Sequence, residues 1–162
     1  MLDGERVRLE PLLEEHADDL EPVLADPLLH TLIGGAPADR DQLRTSFRRQ
    51  AAGRSPDGFE RWHNWLVRRR DDGRAVGTVQ ATVSEHVGVL SAEVAWLIGT
   101  AHQGQGYAKE AAGLMVAWLR EQSVETLTAH VHPAHEASNA VARSIGLAPT
   151  EEVVDGEIRW QG

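Results

Sequence analysis

The chain has 162 residues, 41% hydrophobic and 25% charged, a formal net charge of −9 and no cysteine. A chain of this length and composition is expected to form one soluble globular domain over residues 1–162, and its acidity argues against a nucleic-acid partner. The lack of cysteine excludes disulfides, thiolate metal ligands and a cysteine nucleophile. With no apolar run of membrane-spanning length and no signal-peptide pattern at Met1–Glu5, no membrane partner and a cytoplasmic location are expected.

Arg6 to Leu9 alternates and reads as a first strand closed by Pro11. Leu13, Ala17, Leu20 and Leu24 then fall at helical spacing, which predicts a helix over Leu12 to Ala25, split or kinked at Pro22 and ended by Asp26-Pro27. Gly34 to Pro37 reads as a loop, and Asp39 as the N-cap of a second helix running to about Ala52. Gly53 to Glu60 is polar and turn-rich. Trp62 to Arg69 and Ala75 to Val83 read as two strands of a hairpin around Asp72-Gly73, and Ser84 to Ser91 as a short connection.

The most informative stretch runs from Ala92 to Glu121. Val94 to Ile98 suits a buried strand. Ala108, Ala111, Ala112, Met115, Val116 and Leu119 form the apolar stripe of a helix. Between them lies Gln103-Gly104-Gln105-Gly106-Tyr107-Ala108, whose two glycines permit a sharp turn and a close backbone approach. A turn that feeds a helix start offers free N–H groups and a partial positive charge, so the stretch reads as a pyrophosphate cradle. A Walker loop is excluded because Tyr107 and Ala108 follow Gly106, and a Rossmann fingerprint because Lys109 stands where its third glycine belongs.

After this helix, Thr126 to Val131 reads as a strand ended by His132-Pro133. Ala137 to Ile145 reads as a helix with Gly146 as its C′ residue, and Glu151–Val154 with Glu157–Trp160 as a last hairpin around Asp155-Gly156. Short antiparallel strands around one strand–loop–helix crossover predict an α+β domain with a mixed, mostly antiparallel sheet.

Gln103 to Ala108 matches Q/R-x-x-G-x-G/A, the acetyl-CoA signature of the GNAT superfamily of N-acetyltransferases. With Glu-Val-Ala-Trp-Leu-Ile before the loop and Gly-Tyr-Ala-Lys-Glu-Ala after it, the chain resembles the branch that contains ribosomal-protein-alanine N-acetyltransferases. The resemblance extends, more loosely, over nearly the whole chain. It implies a three-layer fold with helices on both faces of the central sheet. It also implies acetyl-CoA as cosubstrate, with the pyrophosphate on Gly104, Gln105, Gly106, Tyr107, Ala108 and Lys109, the pantetheine along Trp96, Leu97 and Ile98, and Gln103 among the cofactor-binding residues. The first two helices would wall the acceptor pocket, and members are often homodimers.

Acetyl transfer from a thioester to an amine requires loss of an ammonium proton, donors for an oxyanion and a proton for the leaving thiolate. A backbone N–H near Leu97 or Ile98 is the oxyanion candidate. Two residues compete as base: Glu93, where many members of the family carry a carboxylate, and His130, where some carry a catalytic Glu. Relatives show Asn-x-x-Ser or Asn…Tyr after the next strand. Here His135 stands for the Asn and Ala142 for the Tyr, while Ser138 matches the serine form and is the candidate thiolate contact, or a helix N-cap. Asn139 and His135 are further candidates for cofactor contact. His130, His132 and His135 lack a cysteine or carboxylate to complete a ligand set, so no metal is expected.

Trp62 and Trp65 could form an aromatic wall for a cationic acceptor, with packing as the alternative. The expected activity is transfer of acetyl to a primary amine, a protein N-terminus or a small molecule, by direct attack in a ternary complex. The alternatives are an acyl-CoA-binding sensor without catalysis and transfer of a longer acyl group such as succinyl, for which His86 or an arginine of the second helix could hold the carboxylate.

Overall fold

A computed structural model describes residues 1–30 and 37–162. Its strands are β1 (Leu2–Asp3), β2 (Val7–Pro11), β3 (Arg61–Arg69), β4 (Ala75–His86), β5 (Val89–Ile98), β6 (Val124–Val131), β7 (Ala148–Val154) and β8 (Glu157–Gln161). Its α-helices are α1 (Ala17–Leu24), α2 (Arg40–Ala51), α3 (Tyr107–Glu121) and α4 (Glu136–Ser144). The strands form one sheet in the order β1-β2-β3-β4-β5-β6-β8-β7. Only β5 and β6 are parallel. Parallel neighbours need a crossover, and α3 supplies it.

Two apolar clusters lie on opposite faces of this sheet. Val7, Leu9, Val67, Val79 and Val94 pack with Met115 and Leu119 of α3 and Ala142 of α4. Leu66 and Ala75 pack with Leu20 and Leu24 of α1 and Leu43 and Phe47 of α2. This is the α+β arrangement that the sequence predicts, in the three layers that the resemblance implies, with the strands' period-two alternation dividing the side chains between the two cores.

Several boundaries differ from the expected ones. Pro11 does not close the first strand but ends it from within, paired with Trp65. The helix expected from Leu12 begins as a 3₁₀ turn at Glu14–His16 and becomes α-helical at Ala17, with Pro22 inside it. Ser84 to Ser91 is no loop: β4 and β5 continue to a two-residue turn at Val87-Gly88, both with positive φ. Asp39 caps α2 as expected, accepting from the Gln42 N–H at 2.8 Å. The loop read at Gly34–Pro37 lies outside the described residues except for Pro37.

The pairing of β5 with β6 ends at Glu93↔Thr128, after which β6 pairs with β8 instead. From Val94 to Ile98, β5 therefore keeps β4 on one side and, among the described residues, has no strand on the other. Alternate backbone N–H and C=O groups of an antiparallel strand point away from its partner. Here they point into a gap between the two halves of the sheet.

Candidate active site

The gap opens onto a cleft of about 300 Å³. The glycine-bearing loop forms one end of it. Gly104 and Gly106 adopt φ of 77° and 83°, a region that favours glycine. A Cβ on Gly104, which lines the cleft, would meet no atom of the described residues within 4 Å. Gly106 is the N-cap of α3 and brings no side-chain cap. The first helical hydrogen bond is Glu110 N–H to the Gly106 carbonyl, which leaves the N–H groups of Tyr107, Ala108 and Lys109 for a ligand. These donors, the helix dipole and Lys109, the chain's one lysine, fit a pyrophosphate.

All the predicted cofactor contacts line this cleft except Gln105 and Asn139. The Gln105 carbonyl instead accepts from Arg6 Nη1 at 2.6 Å, and Asn139 Nδ2 donates to the Pro133 carbonyl at 3.2 Å. The Gln103 side chain is also committed, donating from Nε2 to the Ile98 carbonyl at 2.9 Å and tying the loop back to β5. Ser138 is not the helix cap. His135 is, its Nδ1 facing the Ser138 N–H at 3.4 Å. Burial, and the neighbouring His132, lower the His135 pKa and favour the neutral ring that such an acceptor needs.

A second cavity of about 500 Å³ lies on the other face of the sheet, under α1 and α2. It meets the cofactor cleft at Trp96, Leu97, His135 and Ser138, which line both. Trp96 Nε1 donates to Ser138 Oγ at 3.3 Å. Since indole is a donor only, the serine hydroxyl keeps its own hydrogen for a group at this junction. Leu24, Leu43 and Phe47 make the apolar wall, and Thr78 and Gln80 the polar floor.

The two candidate bases stand together in this cavity. His130 Nδ1 lies 3.1 Å from Glu93 Oε1, with the His130 side chain 25% and the Glu93 side chain 61% exposed. A carboxylate so placed orients the ring. Among the described residues no group of three His, Cys, Asp or Glu is arranged to hold a metal ion.

Two expectations are corrected. Trp65 is buried on the α3 side, edge-on to Trp118 with ring centroids 5.3 Å apart, and so cannot wall the acceptor. Trp62 lines a smaller groove that continues from the cavity past Gln50 and Gln80. His86, suggested for a succinyl carboxylate, packs against Phe59 away from the cavity lining. Of the arginines of α2, Arg40 and Arg44 pair with Asp18 and Arg48 with Glu14, while Arg49 lines the groove beside Trp62.

Arg6 and Glu110, which brace the loop at the end of the cleft, and Glu157 did not stand out in the sequence. The first two are joined across the fold, and the third lines the second cavity. The polar floor did carry a signal, since Thr78, Gln80 and Thr82 alternate with Val79, Ala81 and Val83.

The acetyltransferase (GNAT) domain family model matches residues 6–148. No curated protein matches the chain. Among solved structures, an acetyltransferase from Agrobacterium tumefaciens is 25% identical, with a TM-score of 0.73 over 99% of this chain and 92% of that one. RimL, a ribosomal L7/L12 alpha-N-protein acetyltransferase in complex with coenzyme A, is 17% identical, with a TM-score of 0.78 over 98% and 94%. The microcin C7 self-immunity acetyltransferase MccE, in complex with acetyl-CoA and AMP, is 12% identical, with a TM-score of 0.78 over 98% and 93%.

Proposed function

The chain belongs to the GNAT acetyltransferase family, and we propose that it transfers acetyl from acetyl-CoA directly to a primary amine bound in the cavity under α1 and α2. The observation that carries this reading is the meeting of two cavities at Ser138 and Leu97, one with a phosphate cradle at its far end and the other with a Glu93–His130 pair.

In this reading the amino nitrogen attacks the thioester carbonyl as the Glu93–His130 pair takes up the proton it releases. Backbone N–H groups of β5 in the gap stabilise the oxyanion, the C–S bond breaks, and the Ser138 hydroxyl donates to the departing thiolate. Ala142, at the family's Tyr position, is fully buried in the core, which leaves Ser138 as the hydroxyl at the junction. No Arg or Lys is among the described residues lining the acceptor cavity, whereas Glu93 and Glu157 are. A succinyl carboxylate would meet two like charges there, so acetyl is the favoured acyl group. The likeness to RimL supports an amino-terminal acceptor of the ribosomal-protein type, and the acidic cavity equally suits a small cationic amine.

The test is thermal stability with acetyl-CoA, CoA, succinyl-CoA and NAD, followed by acetyl transfer to a panel of amines. A ligand in hundredfold excess over its Kd adds about 2.7 kcal/mol, worth roughly 2–4 °C per kcal/mol for a chain of this size. Stabilisation by CoA species alone with turnover of an amine is the expected result. Stabilisation without turnover of any amine would leave a CoA-binding module and remove the catalytic reading.

A further inference from the structure

Glu157 is a carboxylate without a partner in a cavity where an amine is expected. It opens β8 directly after the Asp155-Gly156 turn. It is half-buried and lines the acceptor cavity, and its side chain makes no hydrogen bond or ion pair among the described residues. This sets it apart from the carboxylates elsewhere on the fold that pair with arginines, such as Glu10 with Arg68, Glu14 with Arg48 and Glu110 with Arg6. The cation nearest along its own strand, Arg159, is held by Glu152 at 2.8 Å and is not part of the cavity lining.

The register fixes where Glu157 stands relative to the chemistry. β8 pairs with β6 so that Arg159 faces His130 and Ile158 faces Val131. Glu157 is therefore the diagonal neighbour of His130 on the same face, at a backbone separation of roughly 7–8 Å. A carboxylate partly withdrawn from water with no counter-charge is unfavourable until a cation reaches it.

Resting on the acetyl-transfer reading above, we infer that the acceptor carries a second positive charge, bound by Glu157 while its primary amine faces the Glu93–His130 pair. A chain of roughly five or six bonds spans the separation between the two positions. An aliphatic α,ω-diamine of five carbons has this span, and so does a peptide whose amino-terminal residue is itself a lysine, with six bonds between its two nitrogens. Glu157 is then the residue that selects between acceptors, through a charge that takes no part in the reaction.

The experiment compares kcat/KM within matched pairs of acceptors. One arm sets a five-carbon diamine against the five-carbon monoamine, and the other sets a short peptide with an amino-terminal lysine against its norleucine counterpart. The expected result is a preference of about tenfold or more for the dicationic member in at least one arm, weakening as salt is raised. The arm that shows it identifies the source. Glu157→Gln should bring the ratio to within about twofold, and Glu157→Lys should turn it toward an acceptor of the same length ending in a carboxylate. Stabilisation by acetyl-CoA, whose cleft lies apart from Glu157, reports that each variant is folded. Equal kcat/KM within both pairs, or a preference that survives in Glu157→Gln, overturns the inference while leaving acetyl transfer intact. Failure to acetylate any primary amine removes the acetyl-transfer reading and this inference together.

Discussion

Glu93 and His130 are rivals for one role when read along the chain and partners once the sheet is assembled. Their side chains meet at 3.1 Å although 37 residues separate them, because β5 and β6 run parallel through Glu93↔Thr128 and both residues use the face under α2. Glu93 is the more exposed of the two and His130 the more shielded. If they act as one unit, Glu93→Gln and His130→Ala should each lower kcat by about a hundredfold or more. The double variant should then be no slower than the worse single one. Steady-state kinetics of the four proteins, with acetyl-CoA affinity followed separately and expected to stay unchanged, measure this coupling. Effects that multiply would mean two independent roles. The pairing itself was not legible in the sequence, because register between distant strands is a tertiary property. The residue types were.

At the scale of elements, legibility followed local turn chemistry. Asp155-Gly156 and Asp39 carry the residues that their backbone geometry demands, and both were found where expected. The β4–β5 turn was hidden because Val87 occupies a left-handed position, at φ of 53°, where Asn, Asp or Gly is usual. The central hairpin thus forms despite its turn, through the pairing of ten residues of β4 with ten of β5. A β-branched residue in this region costs roughly 1–2 kcal/mol, and the Val87 side chain is fully exposed, so no packing offsets that cost. Val87→Asn should therefore stabilise the protein by about 1 kcal/mol in urea unfolding without changing kcat, since the turn lies far along β5 from Leu97. An unchanged or lower midpoint would show that the valine is not strained in place. Gly77 shows the opposite situation. Its missing side chain lets β4 lie against the Leu97 carbonyl, where a Cβ would fall on backbone, so this strand glycine helps to set the edge of the gap.

Across the whole molecule, the strand–turn–helix that could be read locally is held in place by a residue pair that could not. The Glu110 carboxylate, in the first turn of α3, accepts from the backbone N–H of Arg6 at 2.8 Å and of Val7 at 2.7 Å. Arg6 also pairs with Glu110 through Nε at 3.2 Å, donates to the Gln105 carbonyl, and lies over the Tyr107 ring. The start of β2 thus fastens both the central helix and the loop before it, and the two halves of this latch should separate on mutation. Glu110→Ala leaves two backbone donors without a partner and should cost about 1–3 kcal/mol, lowering the melting temperature by roughly 2–4 °C for each kcal/mol. Arg6→Ala keeps those two bonds and loses an exposed ion pair and the contact with the Tyr107 ring, each worth about 0–1 kcal/mol at the surface, so its melting temperature should fall less than that of Glu110→Ala. It also frees the Gln105 carbonyl, and the loop must then be ordered when acetyl-CoA binds. Acetyl-CoA affinity should fall several-fold in Arg6→Ala with the smaller loss of stability, whereas Glu110→Ala should lose both. Calorimetric titration beside thermal melts distinguishes them. Native affinity in Arg6→Ala would mean that Gly104 and Gly106 hold the cradle open without help from β2.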